Sequence, residues 1–213
     1  MPVPDRPIPL PEAEGDAPII VVPDVRDYTR INSELTALLD AGHRRVRLVG
    51  VDGQRLLVSG LRGEWSAKVM IEGNAGPELA SNLDAPNLTV VCHGDTKDGT
   101  GSGFRNGRLL VTGNVDIGVG YAQRGGIIIV LGSVGSRAGL DQSGGTLVVT
   151  GSAGRLAGER QSGGLMLVPF GPLGPFSGHG RSGGRLVLPS EMGNDEWILY
   201  RDALASVDGM LAS

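Results

Sequence analysis

The sequence predicts a mainly β chain, a parallel β-helix of about seven coils carrying a small N-terminal α/β cap and a C-terminal helix. Three observations predict it. Glycines recur every nineteen residues, at Gly94, Gly113, Gly132 and Gly151, and again at Gly101, Gly120, Gly139 and Gly158. A fixed short period marks a chain built by stacking one coil on the next. Short apolar segments recur between these glycines, and no link between them has room or composition for the helix that a βαβ unit needs. Glycine supplies 36 of 213 residues without a Gly-X-Y period, so the punctuation belongs to corners and not to collagen.

Residues 1–18 hold six prolines and several acidic groups and bury too little apolar surface to order themselves; they are expected to be a flexible arm. The cap spans 19–59. It opens on an apolar strand at 19–22. After Asp27, the spacing of Ile31, Leu35, Leu38 and Leu39 predicts a helix ending at Gly42. Strands are expected at 46–49 and 56–58, divided by the turn pair Asp52-Gly53. The solenoid runs over 60–190, with strands at 69–71, 88–92, 109–111, 127–131, 147–149, 165–168 and 186–188. The remainder, 191–213, reads as a helix from Asn194, its N-cap, with Trp197, Ile198, Leu204, Val207 and Leu211 as apolar contacts.

Aligning the coils yields columns along the axis. Val90, Leu109, Ile128, Leu147, Met166 and Leu186 share a face with Cys92, Val111, Val130, Val149, Val168 and Leu188, because strand side chains alternate. These line the interior. The intervening column, Val91, Leu110, Ile129, Val148, Leu167 and Val187, points outward and is wholly apolar. Such a stripe is covered, either by the chain's own terminal helices or, on the functional reading, by another subunit docked there. Gln123, Gln142 and Gln161 form a further column, in which stacked amides bond along the axis as a structural ladder.

Chemistry is sparse. Cys92 and His93 are adjacent, so a strand turns them to opposite faces and they form no nucleophile–base pair. Gly99-Thr-Gly-Ser-Gly103 lacks the lysine and following helix of a phosphate loop. Asp95, Asp98, Asp116 and Asp141 read as solvated turn residues. No catalytic, cofactor or metal site is expected in this chain. A net charge of -4 argues against nucleic acid as a partner, and no apolar run spans a membrane. One cysteine and a start without a secretory pattern point to the cytoplasm.

The segments Gly113-Asn-Val-Asp-Ile-Gly-Val-Gly120, Gly132-Ser-Val-Gly-Ser-Arg-Ala-Gly139 and Gly151-Ser-Ala-Gly-Arg-Leu-Ala-Gly158 each precede Gly-Gly and an apolar strand. They resemble the Gly-x-x-Gly-x-x-x-Gly repeat of the right-handed β-helix at the C-terminus of the glutamate synthase large subunit. The first departs from it at Asp116. The repeat also resembles the C subunit of formylmethanofuran dehydrogenase and its formyltransferase/hydrolase relatives. Arg26-Asp-Tyr-Thr-Arg-Ile-Asn32, Gly53-Gln-Arg55 and Gly73-Asn-Ala-Gly76 are similar to stand-alone glutamate-synthase-like subunits, including that of N-methylglutamate synthase. The resemblance implies a noncatalytic scaffold. Its partners would be a class II glutamine amidotransferase subunit and an FMN-binding synthase subunit that also carries an iron–sulfur cluster. The product would be glutamate, N-methylglutamate or a related amino acid. The alternatives are a C-type subunit of a formyl-transfer complex, or a stand-alone ligand-binding or enzymatic β-helix using a groove along Gln123, Gln142, Gln161 and the neighbouring Arg105 and Arg124.

Overall fold

The computed structural model describes residues 17–22 and 27–211. Its frame is one nine-stranded parallel sheet whose strands follow chain order. They are β1 (Ile19–Val21), β2 (Arg45–Asp52), β3 (Ala67–Asn74), β4 (Asp84–His93), β5 (Asn106–Val111), β6 (Arg124–Val130), β7 (Ser143–Val149), β8 (Gly163–Leu167) and β9 (Arg185–Val187). A second line of contact runs up the opposite side, through single bridges joining Thr96, Val115, Val134, Ala153 and Leu173. Sheet, corner and bridge repeat level by level, which is a parallel β-solenoid of about seven turns. The expected arm lies outside the described residues except for its last two.

The first strands and helix continue directly into the solenoid. α1 (Tyr28–Asp40) starts where Asp27 accepts a hydrogen bond from Arg30 N–H at 3.1 Å. It stops at Gly42 (φ +90°), where Gly42 N–H donates to Leu39 O at 3.0 Å and His43 N–H to Leu38 O at 3.2 Å. That pair closes a helix through a left-handed glycine. Ile31, Leu35 and Leu39 bury one face of α1. β1 and β2 are the first two strands of the common sheet. The strand expected at 56–58 is instead a corner, with Leu56 and Val58 at φ 57° and 59°. Apolar character there serves the interior without extended backbone, since Leu57 and Val58 are fully buried.

Seven such corners define the turns. Each places three alternate residues in the left-handed region, as in Leu56, Val58 and Gly60, in Gly99, Gly101 and Gly103, and in Phe176, Gly178 and Gly180. The alternation turns backbone N–H groups up and down the axis in sequence. Gly99 and Gly103 donate to the next level, at Ile117 O (2.8 Å) and Tyr121 O (2.7 Å), while Gly101 donates to the level before, at Leu79 O (2.8 Å). At Gly101, the middle position of the third corner, glycine takes the left-handed backbone (φ +67°), and a Cβ there would stand 2.6 Å from Ile128 Cδ1, so that the isoleucine side chain would have to move aside. The first two levels are longer and carry no central glycine, having Val58 and Ala80 there.

The interior columns fall in register. Val46, Val69, Val90, Leu109, Ile128, Leu147, Met166 and Leu186 are successive partners across the sheet. All but the last, Leu186, are fully buried. After a short 3₁₀ turn at Pro189–Glu191 comes α2 (Asn194–Leu211). Its N-terminal partner is Gly193 rather than Asn194: Trp197 N–H donates to Gly193 O at 3.0 Å, and Glu196 Oε2 accepts from Gly193 N–H at 3.0 Å. The side chains of Val207 and Leu211 lie outside the described residues.

Candidate functional site

The outer apolar column is buried. Val91, Leu110, Ile129, Val148 and Leu167 are fully covered and Val187 is 4% exposed, in one cluster with Tyr200 and Ala203 of α2. Trp197, Leu204 and Met192 pack at its edges. An 18-residue helix is about 27 Å long. Five inter-strand steps, β9 to β4, measure about 24 Å, and α2 makes contact with β4. Below β4 the column continues through half-buried Met70 and turns polar at Arg47, which pairs with Glu72 at 2.6 Å. The helix therefore reaches the level of Val91, the first of the six residues. The expectation of a subunit docked on these six residues is therefore corrected: the chain's own helix lies on them, and the surface left to a partner on this flank is the far side of α2, where Ile198 and Leu199 are 45% and 41% exposed.

The glutamine column forms a ladder inside the corner. Gln142 Nε2 donates to Gln123 Oε1 at 3.1 Å, and Gln161 Nε2 donates to Gln142 Oε1 at 2.9 Å. All three residues are fully buried. Each amide also ties the corner to strand backbone, as in Gln123 Nε2 to Thr146 O at 3.2 Å and Gln161 Nε2 to Arg185 O at 3.2 Å. The ladder lies in the wall, so it lines no groove. Its upper end is incomplete, because Gln161 Oε1 is buried and has no hydrogen-bond partner.

A second ladder follows the periodic glycines from Asn74 to Ser152. Asn74 Oδ1 accepts from Asp95 N–H (2.9 Å), Asp95 Oδ1 from Asn114 N–H (2.7 Å), and Asn114 Oδ1 from Ser133 N–H (2.9 Å). Ser133 Oγ then accepts from Ser152 N–H at 3.1 Å. Each member follows a periodic glycine, which is the signal that reveals it in sequence. Asp95 is thus a rung and not a plain solvated turn. Asp98 Oδ1 likewise accepts from Ile117 N–H at 3.0 Å. Asp116 pairs with Lys97 at 3.1 Å, and Asp141 with Arg160 at 2.6 Å, which holds the Asp141 carboxyl below its ordinary range.

Reactive groups stay apart. Cys92 faces the interior, its Sγ 3.6 Å from Gly73 O, and burial pushes its thiol up to about 11. His93 is exposed on the other face. The three glycine N–H groups of Gly99, Gly101 and Gly103 are spent on neighbouring levels, so this loop offers no cradle for phosphate. An open groove of about 520 Å³ runs beside α1, lined by Tyr28, Ser33, Thr36, Asp40 and Ser59 among others. Among the described residues no group of three or more His, Cys, Asp or Glu is placed to hold a metal ion, and no helix is long and apolar enough to cross a membrane.

Compared with known proteins, the chain matches no family model, no curated protein and no solved structure.

Proposed function

We propose that this chain is a noncatalytic scaffold subunit of a glutamate-synthase-type complex in the cytoplasm. It holds a class II glutamine amidotransferase subunit against an FMN- and iron–sulfur-containing synthase subunit, so that ammonia released by one reaches the other. The reading rests on the resemblance of the glycine repeat, and the observation that favours it is the use made of those glycines. At the corners between the first and the last the backbone donors are committed to the levels above and below, which leaves a stiff rod, and no group of His, Cys, Asp or Glu among the described residues is placed to hold a metal ion. A rod of that kind fixes distances between bodies docked on it. Its docking surfaces are the outer side of α2 and the corners, since the apolar stripe is already occupied.

The test is purification of the tagged chain from its native host. A complex containing an amidotransferase with an N-terminal cysteine and a flavin-bearing subunit, forming glutamate or an N-alkylglutamate from glutamine, is the expected result. Recovery of the chain alone, with formyl-transfer subunits, or with its own glutaminase activity overturns the reading.

A further inference from the structure

The two ends of the solenoid are finished differently. At the first corner the side chain of Asn32 supplies what a preceding level would: its Oδ1 accepts from Val58 N–H and its Nδ2 donates to Leu56 O, both at 2.9 Å. At the last level nothing among the described residues does this. In lower turns the equivalents of Leu173, Phe176 and Gly180 donate upward, as Ala153 N–H does to Pro172 O, Leu156 N–H to Pro175 O and Arg160 N–H to His179 O. Leu173, Phe176 and Gly180 themselves find no acceptor among the described residues. Beneath them lies the orphaned Gln161 Oε1, and Phe176 at the rim is 65% exposed.

The free end thus presents donors, an aromatic ring and positive charge. Residues 169–190 carry Arg181 and Arg185 and no acidic residue. Arg185 pairs with Glu196 of α2, which leaves Arg181 and His179 exposed at the end. A matching ligand is extended, acidic and rich in carbonyl acceptors, with few N–H groups. Residues 1–16 have that chemistry: Pro2, Pro4, Pro7, Pro9 and Pro11 offer carbonyls and no N–H, and Asp5, Glu12, Glu14 and Asp16 face a single Arg6. Proline-rich segments also dock on exposed aromatic rings.

We propose that the last coil is capped by residues 1–16 of a second copy, the two chains lying antiparallel so that each arm closes the other's open end. The same chain's own arm could bring only residues 1–4 there, with Glu12, Glu14 and Asp16 left behind along the way. β1 and β9 stand at opposite edges of the sheet, eight steps or about 38 Å apart. At about 3.1 Å per residue an extended arm leaving Ala17 consumes about twelve residues on the way. Pro7 to Glu14 then cannot reach the end in cis. An antiparallel pair places each Ala17 beside the partner's last coil, and the two-fold closes the assembly.

The test uses full chains. Light scattering is expected to give twice the 22.0 kDa of the monomer. Mixing a chain bearing Ile8→Cys with one bearing His179→Cys is expected to give a disulfide between them, with buried Cys92 silent. Phe176→Asn suits the left-handed backbone and removes the ring, and Glu12→Lys with Glu14→Lys reverses the arm's charge; each is expected to weaken the dimer about tenfold or more, the charge change acting less at high salt. A monomer in solution, a dimer indifferent to these substitutions and without the cross-link, or an internal disulfide in a monomeric chain carrying both cysteines overturns the proposal. None of these results depends on glutamate-synthase partners.

Discussion

Asn32 stands in for a missing turn: the amide of this helix residue makes both hydrogen bonds to the first corner, one of them to Val58 N–H at 2.9 Å. Higher corners make the same bond to the level before, where Ala80 N–H donates to Leu57 O at 2.9 Å. Asn32→Ala removes two half-buried hydrogen bonds, a loss of about 2 kcal/mol at roughly one each. Urea unfolding should show a lower midpoint with an unchanged slope.

The glutamine ladder makes an ordering prediction. Gln142→Leu leaves Gln123 Oε1 without its donor while Gln161 Oε1 stays orphaned. Gln161→Leu removes one buried orphan and creates another at Gln142 Oε1. The middle substitution should therefore cost about 1–3 kcal/mol more than the end one, the size of an added unsatisfied buried group. Parallel denaturant titrations of the two variants decide it.

Two glycines with similar backbones should respond differently to alanine. Gly118 (φ +73°) has open space where a Cβ would go, so Gly118→Ala costs only left-handed strain, about 1–2 kcal/mol. At Gly145 (φ +72°) the Cβ would stand 2.4 Å from Gly125 O and 2.6 Å from Gln123 Nε2. Gly145→Ala must displace the adjacent turn and should cost at least about 2 kcal/mol more. Melting temperatures of both variants should fall in that order.

Ile129→Lys tests the cover on the outer stripe. Ile129 is fully buried beneath α2, so the change forfeits about 2 kcal/mol of apolar burial and adds the desolvation of an ammonium. The expected outcome is release of α2 from an intact solenoid, read as rapid proteolysis within 194–211 while the remaining fragment stays folded.

Cys92 predicts an alkaline effect. Its thiol is neutral in the folded state up to about 11, against an ordinary value of 9.0. Below 9.0 both states hold the proton and the preference for the neutral form is fully expressed. As pH rises from 9.0 toward about 11 the unfolded chain loses the proton first, so stability falls, by at most about 3 kcal/mol across the window. The stability difference between the natural chain and Cys92→Ala should shrink correspondingly. Thiol reagents at neutral pH should label Cys92 only after unfolding.

What the sequence made legible follows the chemistry of the corners. From Gly101 onward every middle position is glycine, the residue that takes the left-handed backbone at no steric cost, and the period stands out. In the first two turns Leu56, Val58, Glu78, Ala80 and Asn82 hold the same left-handed conformation with side chains. Their stability comes from bonds to neighbouring levels, which a sequence does not display, and so 56–58 read as a strand. The all-apolar column announced that Ile129 and its neighbours are covered. That Tyr200 and Ala203 cover them is a tertiary pairing between distant segments, invisible to local periodicity. A single turn shows Asp95 only as a polar corner residue, and its role emerges when Asn74, Asp95 and Asn114 are stacked.

The equal spacing of Gly101, Gly120, Gly139 and Gly158 has a consequence for size. Wherever consecutive levels close after the same nineteen residues, one whole level can be spliced out or duplicated with each surviving rung meeting a like neighbour. The molecule is a ruler graduated in steps of about 4.8 Å, and anything attached near its two ends would be brought closer or moved apart by whole graduations.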